Sequence, residues 1–456
     1  MRSGLACLLG LAGVALTNAY SLERIDGLGK RDGPAVLAVS MVRDTSRRLS
    51  KRSKTVDVDL DNERDGVRWS SAYNGNDLQA NLASQYTSYV ANMTFGTPPQ
   101  HFLAYFETWG NGCWLESVDD SDCELYVDRS LCGGYGGYNL TASTTAQKLD
   151  ERFAYNDSGT MTDGDFVTDV LKIGGVTVDT MKMGIVTNEI ITANTLSLGY
   201  GNASSTSLTQ ALADIGAINS PAFSLWDQTA LFGGINKARY NGSLYTFPIV
   251  NGSDLTKALR INMDGISINE TSTASKEFPL DAVFDTAVGM TYVPKSVAQA
   301  LNAQIGNTSV PDENGQVNFS CSAVDENSTI EFKFGELEFQ SYLSDFVTQE
   351  SDTAANYGWS SDEKTCYFTI CENTMLQFEG SIVLGSNFIS MVYAVFDLEN
   401  DEVSLARLSW DEAPDDIVEI TTNGVPGVKK DSAGTRIEKG LGMSALVVGA
   451  VLILIF

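Results

Sequence analysis

The 456-residue chain has one histidine, His101. That excludes histidine clusters and most zinc sites. A Ser-His-Asp arrangement would have to run through His101, which follows Pro98-Pro99-Gln100 at an expected strand start and reads as an ordinary surface residue. Basic residues are scarce too, 30 Lys+Arg against 58 Asp+Glu, for a net charge of −28. Nine of the basic residues fall in 1–52 beside four acidic ones, so the remainder carries a net −33. Such a body repels nucleic acid and suits an acidic extracellular setting, although plain solubility is the simpler account. Long helical periodicity is scarce, and the apolar runs at both termini fall short of the about 20 residues that span a bilayer.

What is present is a repeated pattern. Phe106-Glu107-Thr108-Trp109-Gly110 is echoed by Phe284-Asp285-Thr286-Ala287-Val288. Each copy is an apolar strand (Leu103 to Phe106; Ala282 to Phe284) that ends in a carboxylate, then a Thr, then a turn. Two similar loops in one chain imply a duplicated architecture that brings two acids together. Two carboxylates in contact cannot both ionise, so one serves as base and the other as acid.

In chain order, 1–19 reads as a signal peptide, with Arg2, an apolar core from Leu5 to Leu16, and small residues at Thr17-Asn18-Ala19. Residues 20–52 are polar and basic, with dibasic pairs at Lys30-Arg31, Arg47-Arg48 and Lys51-Arg52. They read as a propeptide cut after Arg52, able to latch electrostatically over the acidic body. A disordered basic arm is the alternative. From Tyr86 the pattern is all-β, with short alternating runs such as Tyr89 to Phe95 broken by turn residues. Helices are expected at Leu208 to Ile215, with Leu208, Leu212 and Ile215 on one face and Gly216 as stop, and from Pro294 to Gln304.

Ten Asn-x-Ser/Thr sequons agree with a glycosylated, secreted surface. The C-terminus has small residues at Ser432-Ala433-Gly434, a polar spacer from Thr435 to Gly442, and an apolar tail from Met443 to Phe456. That order is a GPI-attachment signal with Ser432 as attachment residue, in preference to a short transmembrane segment. Besides Cys7 in the apolar leader there are six cysteines, in two groups: Cys113, Cys123, Cys132 and Cys321, Cys366, Cys371. An exported chain with an even count suggests disulfides. Three per group means that one bond crosses between groups or two thiols stay reduced.

From Tyr86 to Trp410 the chain resembles the pepsin-type aspartic peptidases, most of all the fungal yapsin group. The resemblance rests on an ordered series: Phe95-Gly96-Thr97-Pro98-Pro99-Gln100, Glu107-Thr108, Leu231-Phe232-Gly233-Gly234, Asp285-Thr286, Ile382-Val383-Leu384-Gly385 and Tyr393-Ala394-Val395-Phe396-Asp397. It implies an all-β, bilobal fold with a cleft between two lobes and a β-hairpin flap. The lobes would span 70–248 and 249–411, followed by a linker at 412–434 and a removed signal at 435–456. It implies a Glu107/Asp285 dyad supported by Thr108 and Thr286, with Tyr155 at the flap position facing substrate. It also implies disulfides Cys123–Cys132 and Cys321–Cys366, leaving Cys113 and Cys371 linked or reduced. The family's chemistry is peptide hydrolysis by a water held between the carboxylates, with neither metal nor cofactor. The expected partners are a polypeptide in the cleft and a membrane through the anchor, on a monomer.

Around the dyad this chain departs from the family pattern. Glu107 adds a methylene, Trp109 and Ala287 stand where Gly is usual, Ser197 replaces a further Gly, and Ser386 an Asp. The Asn156 sequon would put a glycan beside Tyr155. A carboxylate moved by about 1 Å can cost about 10²-fold in rate. The expectation is therefore an anchored pseudo-peptidase. An active acid endopeptidase processing secreted or wall proteins is the alternative, and an adhesin without a working cleft a third reading.

Overall fold

A computed structural model describes residues 36–40, 89–110, 112–118, 136–157, 160–188, 194–201, 205–227, 229–250, 257–273, 276–306, 309–312, 315–349, 365–375, 378–411 and 413–430. The signal peptide, the cleavage site at Arg52, Cys123, Cys132, Ser432 and the C-terminal signal lie outside these residues.

The elements that build the site fall into three sets. The first set is β1 (Leu37–Ser40), β2 (Val90–Phe95), β3 (Gln100–Glu107), β4 (Trp114–Glu116), β5 (Gln147–Asp157), β6 (Thr160–Ile173), β7 (Val176–Asn188) and β8 (Asn194–Ser197). Helix α1 (Leu208–Asp214), β9 (Ala222–Trp226), β10 (Thr229–Phe232), β11 (Gly234–Asn236) and β12 (Tyr240–Pro248) follow. The C-terminal half supplies β13 (Arg260–Met263), β14 (Leu280–Phe284), β15 (Thr291–Val293), α2 (Lys295–Gln304), β16 (Ile370–Glu372), β17 (Ile382–Leu384), α3 (Ser386–Ile389), β18 (Val392–Asp397), β19 (Glu402–Leu408), β20 (Ile417–Glu419) and β21 (Lys429–Lys430).

Two sheets carry the same core unit. In the seven-stranded N-terminal sheet, ordered β2-β3-β8-β4-β7-β6-β5, β3 runs parallel to β8, β8 antiparallel to β4, and β4 parallel to β7. In the five-stranded C-terminal sheet, ordered β13-β14-β17-β15-β16, β14 runs parallel to β17, β17 antiparallel to β15, and β15 parallel to β16. The repeat read from the sequence is thus a repeat of topology. A third sheet, β1-β10-β9-β18-β19-β12-β21, takes strands from both halves and ties the lobes together. Phe106, Phe232, Phe284 and Phe396 belong to one core that runs through both lobes, with Phe106 edge-on to Phe232 and Phe284 edge-on to Phe396. The expected all-β, two-lobed architecture is the one observed.

Three local expectations change. Helix α1 begins with Ser207 capping the Gln210 N–H, and Leu208 and Leu212 are buried. Ile215, placed by its spacing on the same face, is 47% exposed. It is the C-cap residue, past the last full turn, and Gly216 turns the chain away with a φ of +70°. The stretch 412–434, read as a linker, packs onto the fold as far as Lys430: β20 pairs with β11, β21 lies parallel to β12, and Ile420 is fully buried. Within the basic segment 20–52, β1 pairs antiparallel with β10, and Val36 and Leu37 are buried. Apolar burial and backbone pairing hold these five residues, where the sequence pointed to charge.

Candidate active site

The site is built where β3 and β14 end. The last six residues of β3, Phe102 to Glu107, are all buried, so both strand faces are covered and the strand reads as one apolar run. Its final residue is Glu107, 7% exposed, and Asp285 follows β14 at 4% exposed. Each strand is fixed laterally by a parallel neighbour. Glu107 sits opposite Ser197 on β8, and the Leu198 N–H donates to the Glu107 carbonyl at 2.8 Å. Phe284 sits opposite Leu384 on β17, and the Asp285 N–H donates to the Leu384 carbonyl at 3.0 Å.

The next residue in each loop locks the two loops together. The Thr108 N–H donates to Thr286 Oγ1 at 3.1 Å, and the Thr286 N–H to Thr108 Oγ1 at 3.0 Å. Each hydroxyl then donates across the axis, Thr108 to the Phe284 carbonyl at 2.8 Å and Thr286 to the Phe106 carbonyl at 2.5 Å. Four bonds between loops 178 residues apart set the backbone positions from which the two acids project.

Beyond the threonines the loops differ. The Asp285 carboxyl accepts the Ala287 N–H at 2.9 Å, as a short acid reaching back to its own turn. The Glu107 carboxyl lies over Gly110: a Cβ added to that glycine would fall 2.3 Å from Oε2 and 2.5 Å from Cδ. Ser197, fully buried, donates its hydroxyl to the Gly110 carbonyl. Trp109, half-buried, crosses to the C-terminal lobe and packs edge-on against Phe378, with ring centroids 4.4 Å apart, beside Met375. Ser386 is fully buried, and its N–H donates to the Val288 carbonyl at 2.8 Å.

Tyr155 stands on β5 opposite Thr162 of β6, on one arm of a hairpin whose tip at 158–159 lies outside the described residues. Cys321 and Cys366 form a disulfide. Cys113 and Cys371 are both buried thiols. Burial, reinforced by the neighbouring Glu107 charge, pushes the Cys113 thiol up to about 12, which removes it as a nucleophile. His101 is exposed near the start of β3, six residues before Glu107 along the strand.

The sequence reading found both acids, both threonines and Ser197; it named Gly110 without giving it a role, and it missed Phe378. The alignment of the two copies already sets Gly110 against Val288, but the difference in side chain was given no role there. Phe378 has no counterpart signal, because its role depends on where Trp109 travels.

A model of the family described as eukaryotic aspartyl protease matches residues 88–408, well over half of the chain and both carboxylate loops. Curated relatives agree. The chain is 28% identical to the Aspergillus oryzae "Probable aspartic-type endopeptidase opsB", covering 96% of this chain and 90% of that protein. It is 26% identical to the Saccharomyces cerevisiae "Aspartic proteinase yapsin-3", covering 76% and 70%. It is 27% identical to the Candida albicans "Secreted aspartic protease 8", covering 73% and 79%. With the matched span running through two copies of one strand-and-loop unit clasped at Thr108 and Thr286, this chain belongs to the eukaryotic aspartyl protease family.

Proposed function

We propose that this protein is a GPI-anchored, yapsin-like surface member of the family whose cleft admits polypeptide and whose Glu107/Asp285 dyad is severely impaired. The observation that carries the impairment is the place of the Glu107 carboxyl, folded over Gly110 within its own loop. A shared-proton dyad needs two carboxyls in register about a single water. A displacement of about 1 Å at one of them can lower the rate about 10²-fold. Trp109 adds bulk beside the acid and anchors it on Phe378 of the opposite lobe. Export and anchoring rest on the leader at 1–19, the dibasic pairs ahead of the body, the ten sequons and the small-residue, spacer and apolar-tail order from Ser432 onward.

A second reading is an active acid endopeptidase that processes secreted or wall proteins through the same pair. The complete set of Thr108–Thr286 bonds favours it, since the clasp that holds both acid loops is undamaged.

The test is cleavage of a mixed peptide library at about pH 3 to 6, a range chosen to bracket carboxyl titration. Full-chain protein processed at Arg52 is compared with Asp285→Ala and with Glu107→Asp/Trp109→Gly. Impairment predicts that the unmodified protein and Asp285→Ala are equally silent and that the double variant gains turnover. Cleavage by unmodified protein that disappears in Asp285→Ala establishes the second reading.

A further inference from the structure

The two loops of this protein are a built-in comparison. In the C-terminal loop the acid is the shorter Asp285. The residue three positions on is Val288, whose side chain is buried in an apolar cluster with Val283, Met290, Tyr292 and Phe378. The residue beside the acid on the neighbouring strand is Gly385, by extension of the Phe284–Leu384 register. No side chain fits there, since a Cβ at Gly385 would lie 2.1 Å from the Met290 carbonyl oxygen and 2.8 Å from that of Val288.

In the N-terminal loop all three choices are reversed. The acid is the longer Glu107, the residue three positions on is Gly110, and the residue beside it on the neighbouring strand is Ser197. Gly110 is not required by its backbone, which lies outside the left-handed region. What a side chain there would meet is the Glu107 carboxyl: Oε2 at 2.3 Å, Cδ at 2.5 Å and Oε1 at 2.8 Å. Ser197 fills the place that must stay empty beside Asp285, and its hydroxyl holds the Gly110 carbonyl, the counterpart of the Val288 carbonyl that would obstruct Gly385.

We infer that Gly110 and Ser197 are positioning residues for the Glu107 carboxyl, so that the long acid, the missing side chain and the added hydroxyl form one rebuilt unit. Gly110 provides the space into which the extra methylene folds. Ser197 keeps Gly110 at the distance that makes the space fit. The obstructing atoms are the end of a side chain, so a Cβ at 110 moves the carboxyl rather than the backbone. The inference rests on reading Glu107 as a dyad member and holds whether or not the pair hydrolyses peptide.

The test follows the titration of residue 107 in full-chain protein with 13C-labelled carboxyls, assigned by its loss in Glu107→Gln. Gly110→Ala is expected to fold and to displace the Glu107 midpoint by about half a pH unit or more, because the carboxyl enters a different environment. Ser197→Ala is expected to move it as well. In Glu107→Asp protein the shorter acid does not reach Gly110, so its midpoint is the same with Gly or Ala at 110. The inference is overturned by an unmoved Glu107 midpoint in folded Gly110→Ala. It is equally overturned if Gly110→Ala moves the midpoint of the shorter acid in the Glu107→Asp background by as much as it moves that of Glu107. Should Gly110→Ala fail to fold, Glu107→Asp/Gly110→Ala decides: folding of the double variant supports the inference, and its failure sinks it. None of these readouts needs cleavage, so they stand apart from the test of impairment.

Discussion

Thr108 and Thr286, 178 residues apart, each donate a backbone N–H to the other's hydroxyl, at 3.1 and 3.0 Å. The pair is buried, and every group in it is matched by one from the opposite lobe. Replacing Thr286 by the isosteric Val removes the acceptor of the Thr108 N–H and the donor to the Phe106 carbonyl. Two buried groups are then left without partners, at about 1–3 kcal/mol each. Calorimetry of Thr286→Val should find the thermal midpoint lowered by several degrees, and an unchanged midpoint would show that the clasp contributes no stability.

Trp109 and Phe378 carry a second link between the lobes. An aromatic pair in this edge-on arrangement is worth about 0.5–1.5 kcal/mol beyond its buried area. Trp109→Ala and Phe378→Ala should therefore be non-additive in denaturant titrations, with a coupling of about 1 kcal/mol. Strict additivity would mean that Trp109 stabilises its own loop alone.

The Cys321–Cys366 disulfide closes a loop of 45 residues. Loop-closure entropy puts its contribution at about 3–4 kcal/mol. Cys321→Ala/Cys366→Ala should melt well below the parent chain. A midpoint within a degree of the parent would place the bond's value elsewhere than in stability.

Cys113 makes the protein alkali-sensitive. Its thiol is pushed from 9.0 up to about 12 by burial, with the Glu107 charge acting in the same direction. Below about pH 9 both folded and unfolded chains keep the proton, and the thiol adds nothing to the pH dependence. Above it the unfolded chain ionises first, so stability falls by up to about 1.4 kcal/mol per pH unit until the folded thiol also titrates. Cys113→Ala should flatten that limb in urea melts at pH 9 to 11, an interval set by the same two values. In native protein at neutral pH an alkylating reagent should leave Cys113 unmodified until denaturant is added.

β1 predicts how the N-terminal segment behaves on processing. Val36 and Leu37 are buried and the strand is paired along its length with β10, so cleavage after Arg52 does not by itself free it. Leu37→Asp buries a carboxylate against apolar residues and should release the cleaved segment, because an uncompensated buried charge costs several kcal/mol. Size-exclusion chromatography after cleavage checks both halves: co-elution for the parent, separation for the variant.

Much of this was legible residue by residue. Strands such as Gln100–Glu107 announce themselves because a strand covered on both faces must be apolar throughout. The paired loops were visible because duplication preserves order. Ile215 misled because periodicity says which face a side chain shares but not where the helix stops needing cover. Residues 413–430 read as a linker because their strands, three and two residues long, are too short to show a period, although Ile420 and Val425 are buried and Ile417, Val418 and Val428 pack against the same cluster.

Residue order alone established the all-β class, the two acids and the threonines behind them, since those follow from local alternation and from a motif written twice. Which way each acid leans was decided by the folded chain. The Glu107 carboxyl lies over Gly110, whose carbonyl is held by Ser197, 87 residues away, while the Asp285 carboxyl accepts the N–H of Ala287 in its own turn. Close approach between atoms distant in sequence is a property of packing, and no linear pattern encodes it.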